Sequence, residues 1–423
     1  MRLILIDLSR PAKIAVIALL LGLASAAPAA QAGAAPAQPA LSSRIALAIS
    51  SQSPLGPIDA PALQAFYGAR AFAPVWITDK AGSQRAQSTL MEAGNEGLNP
   101  EDYHASAIAS LAGGTTLEQV TRELLLTDGL LKYAHDVRMG RVAPNDADGD
   151  IELPEQAFNA ASELNKALAE GTLGQFIAGL PPPHRQYAAL RDALKRYRKI
   201  TEDGDWAPFT FAPKDKSAAA KAALWSRLRV EDASLGAQNT DGKALTQALA
   251  RFQVRNGLPA DGKLSERTID ALNVSAQERI GQIEANMERW RWLPREFEPD
   301  YVAVNVPDAS LIAVHGGKRV LTSRVVVGRP NDPTPILRAD ITAVTANPPW
   351  DVPMTIARKE YLPKLRKDPS FLADHHIFIK ERPDDPSGAS IAWPKLAARD
   401  FNYHLRQAPG PDNALGRIKL EMP

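Results

Sequence analysis

The residue type most suited to covalent acyl chemistry is missing: the chain has 423 residues and no cysteine. A thiolate nucleophile therefore has no carrier here, and no disulfide can form. Serine-based acyl transfer commonly leaves Gly-x-Ser-x-Gly or Ser-x-x-Lys, and neither string occurs. The histidines are 104, 135, 184, 315, 375, 376 and 404. Only His375 and His376, after Asp374, are clustered. Adjacent histidines rarely point at one ion, and no His-Glu-x-x-His is present, so the pair reads as a solvated turn. His315, beside Gly316-Gly317, reads as exposed. No metal and no cofactor is expected. Gly257-Leu-Pro-Ala-Asp-Gly262-Lys263 fits the opening of a phosphate-binding loop. Leu264 stands where a magnesium-binding Ser or Thr belongs, a helical pattern precedes the motif, and Asp261 would face the phosphates. Nucleotide binding is excluded on those grounds.

The elements that must position such groups fall into blocks. Residues 1–32 read as a signal peptide. Arg2, Arg10 and Lys13 are positive, Ile14–Leu23 is apolar but shorter than the ~20 residues of a membrane span, and Ala24-Ser25-Ala26 and Ala30-Gln31-Ala32 offer cleavage sites. Residues 33–50 continue an Ala/Pro/Gln-rich stretch and read as a linker. Over residues 51–235 helical spacing dominates. Leu124, Leu125, Leu131, Tyr133 and Ala134 share a long helix with Asp128 and Asp136, ended by Gly140. Residues 236–275 form a compact unit. Leu245, Ala248, Leu249 and Phe252 make a helical stripe, Gly257 suits a C-terminal turn, and Ser265 an N-cap. From residue 276 an amphipathic helix (Ile280, Ile283, Met287, Trp290) runs up to Pro294 and gives way to strands. These are Val302–Val306, a hairpin around Gly316-Gly317, Ile341–Ala346 and Ile418–Met422. Net charge is +1, with 45% hydrophobic and 23% charged residues. That suits a soluble globular chain of two or three domains and gives no reason to expect nucleic acid as a partner.

Three groups of motifs carry a family resemblance. Asn347-Pro348-Pro349-Trp350, Ile356-Ala357-Arg358-Lys359 with Leu362-Pro363-Lys364, and Asn413-Ala414-Leu415-Gly416-Arg417 together resemble the catalytic domain of the large periplasmic L,D-transpeptidases. Glu96 to Tyr103 and Leu124 to Pro144 resemble their scaffold domain. Phe252-Gln253, Gly257-Leu258, Asp261-Gly262, Thr268 and Ala271-Leu272-Asn273 resemble the small peptidoglycan-binding domain. The resemblance implies an α+β multidomain chain: a helical scaffold domain (51–235), a three-helix peptidoglycan-binding domain (236–275) and an incomplete β-sandwich catalytic domain (276–423), with a capping segment at about 361–393.

It also implies a reaction, in which a cysteine thiolate attacks a stem-peptide carbonyl, releases D-alanine and passes the acyl group to an amine of a second stem. In the family the catalytic histidine and the Ser-x-Gly-Cys loop would follow Pro423. The expectation is thus a chain truncated before its catalytic residues, with none of them present and no activity as it stands. His404 does not match the family histidine. Trp350, Trp393, Asn413, Gly416 and Arg417 are the candidate substrate contacts. Phe252, Gln253, Gly257, Asp261 and Gly262 are the candidate peptidoglycan-binding positions. Lys359, Lys364, Arg366 and Lys367 form a basic run, either a solvated helix face or a carboxylate-binding lid. Arg417–Met422 reads as a strand with nothing after it to pair with, an open apolar edge. The implied partner is peptidoglycan stem peptides, without nucleic acid and without a membrane span once the signal is removed. The implied location is the periplasm of a Gram-negative bacterium. A non-catalytic, peptidoglycan-binding wall protein is the alternative, and the oligomeric state stays open.

Overall fold

The architecture comes from a computed structural model, which describes residues 40–51, 57–111, 114–154, 156–236, 241–329 and 331–422. The signal segment and its cleavage sites lie outside the described residues. The fold is α+β and multidomain, with helical bodies followed by small sheets.

The first body contains α1 (Leu41–Ser51), α2 (Ala60–Gly68), α3 (Lys80–Met91), α4 (Ala105–Ser110), α5 (Thr116–Met139), α6 (Pro144–Ala147), the short strand β1 (Ile151–Glu152), α7 (Ala160–Ala169) and α8 (Leu173–Ala178). Its axis is α5. A reciprocal capping box between Thr115 and Glu118 starts this helix, and Gly140, with φ of 96°, stops it in a conformation L side chains rarely adopt. Leu124, Leu126, Leu130, Ala134 and Val137 are fully enclosed. Glu123, Asp128 and Asp136 of α5 are buried too, and each holds a neighbouring element. Glu123 accepts from the backbone N–H groups of Val75, Trp76 and Ile77 and from the Tyr67 hydroxyl. Asp128 accepts from the Asp59 N–H at the start of α2 and faces His104 Nε2 at 2.7 Å. Asp136 accepts from the Tyr103 hydroxyl. Gly129 is needed for contact: a Cβ there would lie 2.6 Å from the Tyr103 carbonyl oxygen.

Helix α1 corrects the linker reading over residues 41–50; residues 33–39 lie outside the described residues. Ile45 and Ile49 are buried in the scaffold core, so residues 41–50 belong to that body. Their i, i+4 spacing is a helix face that the surrounding Ala/Pro composition concealed.

Two long helices, α9 (Arg185–Glu202) and α13 (Ala276–Arg291), pack along each other. Tyr187, Leu194, Ile280 and Met287 form the seam. Helix α13, read from sequence as the start of the catalytic domain, is thus part of the helical body. Between these helices the chain makes α10 (Ala218–Glu231), α11 (Gly242–Arg255) and α12 (Glu266–Asn273). Phe209, Leu224, Trp225 and Leu228 share one core with Leu245, Ala248, Leu249, Phe252 and Leu272. A boundary at 235/236 would cut that core, because the third helix lies before it.

Past α13 the chain is strapped to the scaffold. Trp292 Nε1 donates to the Val142 carbonyl, Gln156 Nε2 to the carbonyls of Trp292 and Leu293, and Arg295 Nη1 to the Leu180 carbonyl. Then β2 (Tyr301–Asn305), β3 (Ser310–His315) and β4 (Lys318–Arg324) form an antiparallel meander. The β3–β4 turn has φ of 56° and 72° at Gly316 and Gly317, as a type I′ hairpin requires. Strand β5 (Ile336–Leu337) lies parallel to β1, joining the scaffold to the strand region. Strand β6 (Ala343–Ala346) pairs with β10 (Ile418–Glu421), and β9 (Leu405–Gln407) sits between β7 (Trp350–Asp351) and β8 (Ile377–Ile379).

A helical run packs on this last sheet: α14 (Met354–Ile356), a wide π turn over Ala357–Tyr361, and α15 (Leu362–Lys367), followed by α16 (Phe371–Asp374). The wide turn lies just ahead of Pro363, whose ring would clash with the carbonyl four residues back in a regular helix. One core runs from Val352 through Leu362, Phe371, Ile379 and Trp393 to Leu405. The capping unit therefore extends to both sides of 361–393.

Candidate functional site

Four of the five candidate substrate contacts gather at β7 and the loop after β9, while Trp393 lies in the core of the capping unit. Trp350 opens β7, opposite Gln407 of β9. It is half-buried and meets Tyr361 edge-on, with ring centroids 6.3 Å apart. Tyr361 meets Phe371, and His375 stacks on Phe371 at 4.2 Å. The Lys364 ammonium lies over both the Tyr361 and Phe371 rings. This aromatic row leaves part of Trp350 open to a ligand.

Trp393 is not open. It is 0% exposed, its indole N–H has no partner among the described residues, and it packs against Phe401 and Tyr403. A Cβ on Gly388 would come within 2.5 Å of its ring. Its role as a substrate platform is corrected to that of a core residue. Large aromatic side chains are favoured in cores as well as at binding sites, so residue type alone could not separate the two.

Asn413 is also buried. Its Nδ2 donates to the carbonyls of Gln407 and Ala408, and its Oδ1 accepts from the Leu415 N–H. Gln407, equally buried, donates to the carbonyls of His375 and Asp412 and accepts from the Ala414 N–H. The two amides interlock and fix the 408–416 loop; neither has a free group for a substrate. Gly416, with φ of 67°, closes the turn by donating its N–H to the Asn413 carbonyl. Arg417 is exposed, and its carbonyl accepts from the Asn347 N–H. The two family motifs 347–350 and 413–417 are thus neighbours in space; among the candidate side chains there, Arg417 is exposed and Trp350 half-buried.

Sequence reading missed the charges on the outer face of the β7–β9–β8 sheet. Asp351 receives two hydrogen bonds from Arg406, at 2.6 and 2.7 Å, and Lys380 lies 3.6 Å away. The Arg406 bonds hold the Asp351 carboxyl below the usual carboxylate range. Glu381 accepts from His404 through Nδ1 and the backbone N–H. Such a carboxylate–imidazole pair can orient a general base, yet among the described residues no hydroxyl is bonded to His404, and the chain has no thiol. These partners come from three separated strands, so no local spacing signals them. Lys359, Lys364, Arg366 and Lys367 do not converge on one point: Lys364 caps the aromatic rings, while Arg366 donates to the Leu396 carbonyl. His315 is exposed and pairs with Asp300. No group of three or more metal-binding side chains occurs among the described residues.

In the small helical unit the marker residues are framework. Phe252 is fully buried. Gln253 Nε2 donates to Asp261 Oδ1 and the Lys263 carbonyl, and its Oε1 accepts from the Gly262 N–H. Asp261 Oδ1 takes the Lys263 N–H. The amides that a phosphate would need are occupied from inside. Gly262 lies against Thr246, and Gly257 makes the left-handed turn after α11. Phe252, Gln253 and Gly262 thus build the unit rather than present a binding surface, while Gly257 and Asp261 are exposed.

Comparison with known proteins resolves the three bodies. Residues 61–194 match the family description "Scaffold domain", residues 223–272 match "Putative peptidoglycan binding domain", and residues 299–423 match "L,D-transpeptidase catalytic domain". A Haemophilus influenzae protein named "Putative L,D-transpeptidase" is 33% identical over 174 residues, which is 39% of this chain and 34% of that protein. Its C-terminal body, residues 299–423, matches an L,D-transpeptidase catalytic domain, joined in one chain to the scaffold and peptidoglycan-binding matches. The aligned part spans about a third of the length of that curated relative. The limits of the family matches follow the packing: the catalytic match begins after α13, and the peptidoglycan-binding match begins inside α10. The wall formed by Trp350, Tyr361 and the interlocked 408–416 loop lies within the residues that match the catalytic domain.

Proposed function

We propose that this protein acts in peptidoglycan cross-linking, and that residues 1–423 supply the wall-binding and scaffolding parts of that activity without its acyl-transfer step. The observation that carries this reading is a single chain that joins a peptidoglycan-binding unit and an L,D-transpeptidase catalytic fold to one helical scaffold. The family reaction breaks the amide to the terminal D-alanine, forms a thioester, and passes the acyl group to an amine that displaces the thiol. With no cysteine in the chain, the thioester cannot form on these residues. The Trp350–Tyr361 wall and Arg417 would face the donor stem, an aromatic surface beside a cation for a peptide that carries carboxylates. No helix among the described residues is long and apolar enough to cross a membrane. An exported protein, at work in the periplasm of a Gram-negative cell, is the setting such a polymer substrate calls for.

The test uses two assays on the purified chain. Incubation with disaccharide-tetrapeptides is expected to release no D-alanine and make no cross-link; turnover would overturn the argument from the missing thiol. Sedimentation with insoluble peptidoglycan is expected to carry the chain down; a chain left in the supernatant would overturn the wall-binding reading.

A further inference from the structure

A cleft of about 460 Å³ opens where the 94–100 loop meets α9 and α13. The loop belongs to a scaffold motif for which neither the catalytic wall nor the peptidoglycan-binding unit has a use. Pro100 is half-buried at its edge, and Leu98 lies beneath it in the scaffold core. Arg198 and Glu284 face each other at 2.9 Å, each with a third of its side chain exposed. Arg141 is less committed. Its nearest carboxylate is Asp102 at 3.8 Å, and its side chain is 49% exposed. The Arg141 and Val142 N–H groups both donate to Glu288 Oε1, so the backbone that presents this guanidinium is fixed to α13. Asn99, exposed, uses its Oδ1 to accept from the Glu101 N–H, and its amide NH2 donates to no protein group among the described residues. Gly97, with φ of 70°, lets the loop lie against α13; a Cβ there would meet Glu284 at 3.1 Å.

The seam does not depend on Arg141 or Asn99. A buried set beside the cleft already ties the loop to both helices: Tyr187 donates to Glu96 Oε2, and Arg291 donates to the Glu96 carbonyl and to Tyr187. Arg141, the Asn99 amide and the outer face of Glu284 are left for something else. An arginine on an anchored backbone, with its guanidinium half exposed, suits a carboxylate, which it can grip through two parallel bonds. A carboxylate nearby suits an amine. The cleft has the size of a small-molecule site.

We propose that this cleft binds a peptidoglycan stem peptide, with Arg141 and Asn99 on a free carboxylate and Glu284 on a free amine. It rests on the wall-polymer reading above and gives the scaffold its own hold on the substrate strand, apart from the catalytic wall.

Calorimetric titration of the full chain with unlabelled soluble stem tetrapeptide tests this. Binding is expected, with Arg141→Glu weakening it at least tenfold and Asn99→Ala weakening it measurably. Arg185→Glu, on the exposed side of α9, is expected to leave it unchanged. Far-ultraviolet melts of each variant separate lost binding from lost folding. An unchanged affinity in both cleft variants, or an equal loss in Arg185→Glu, would overturn the assignment. Absent tetrapeptide binding by a chain that still sediments with insoluble peptidoglycan would refute the cleft and leave the wall-binding reading intact. Failure in both assays would remove both.

Discussion

At the scale of the residue, the most exacting position is Glu123. Its carboxylate collects three consecutive backbone N–H groups and a tyrosine hydroxyl inside the scaffold core. Burial pushes its carboxyl up from the usual range, against those donors, which favour the charged form. Removing one oxygen is therefore not a mild change. In Glu123→Gln, one face of the side chain becomes an NH2 aimed at groups that are themselves donors. At least one buried N–H then loses its acceptor, a loss of 1–3 kcal/mol or more for a group bonded to a charge. We expect Glu123→Gln to lower scaffold stability by about 3 kcal/mol, read as a shift of the chemical-denaturation midpoint. Glu123→Ala should cost at least as much. A change under about 0.5 kcal/mol in either variant, the range of an ordinary surface substitution, would show that water or a shifted 74–77 turn replaces the carboxylate.

At the scale of the element, the β7–β9 pair shows a charge acting across a ladder. Asp351 and Arg406 are directly opposed partners, and the bidentate bond holds the Asp351 carboxyl low. A depressed acid contributes stability that is present above its unfolded-state value, about 3.9, and lost as pH falls through its lower folded-state value. At neutral pH, Asp351→Asn should thus be less stable than the parent. The pair is solvated, so the difference is expected to be about 0.5–1 kcal/mol. The two proteins should converge once Asp351 is protonated in both states. Melting curves across pH 2 to 7 check this; a gap that persists unchanged at the acid end would assign the effect to packing instead.

The same sheet shows what was legible in the sequence. The α5 and α11 stripes, the Ser265 cap and the Gly316-Gly317 hairpin follow from local periodicity and turn chemistry, and the structure carries them. The Asp351–Arg406 bond spans 55 residues, and the α9–α13 seam joins helices on either side of an inserted unit. Such partnerships are set by tertiary packing, so no window of local sequence contains them. The candidate site was legible as two motifs, 347–350 and 413–417, that proved to be neighbours. It was not legible which tryptophan is open, because Trp350 and Trp393 differ only in what surrounds them.

At the scale of the molecule, the distribution of apolar surface is uneven. The scaffold, the small helical unit and the capping unit each enclose a core. The β2–β4 meander and the β6/β10 pair do not. Val320 is 62% exposed, Leu321 54%, Val344 64% and Ile418 62%. Among the described residues no second layer covers these faces, although sheets of two or three strands need such a layer to be stable alone. Exposed apolar side chains of this kind attract other apolar groups, and a free strand edge attracts other strands. The chain is therefore expected to bind a hydrophobic reporter dye while its helical core is fully folded, and to self-associate as concentration rises. Combined Val320→Thr, Val344→Thr and Ile418→Thr substitutions keep the β-branched shape that strands favour and remove apolar surface. They should lower dye fluorescence and the concentration dependence of sedimentation, and leave the helical melt in place. Dye binding that stays at the parental level in the triple variant would locate the exposed apolar surface elsewhere, and the two sheets would then have to be covered in solution.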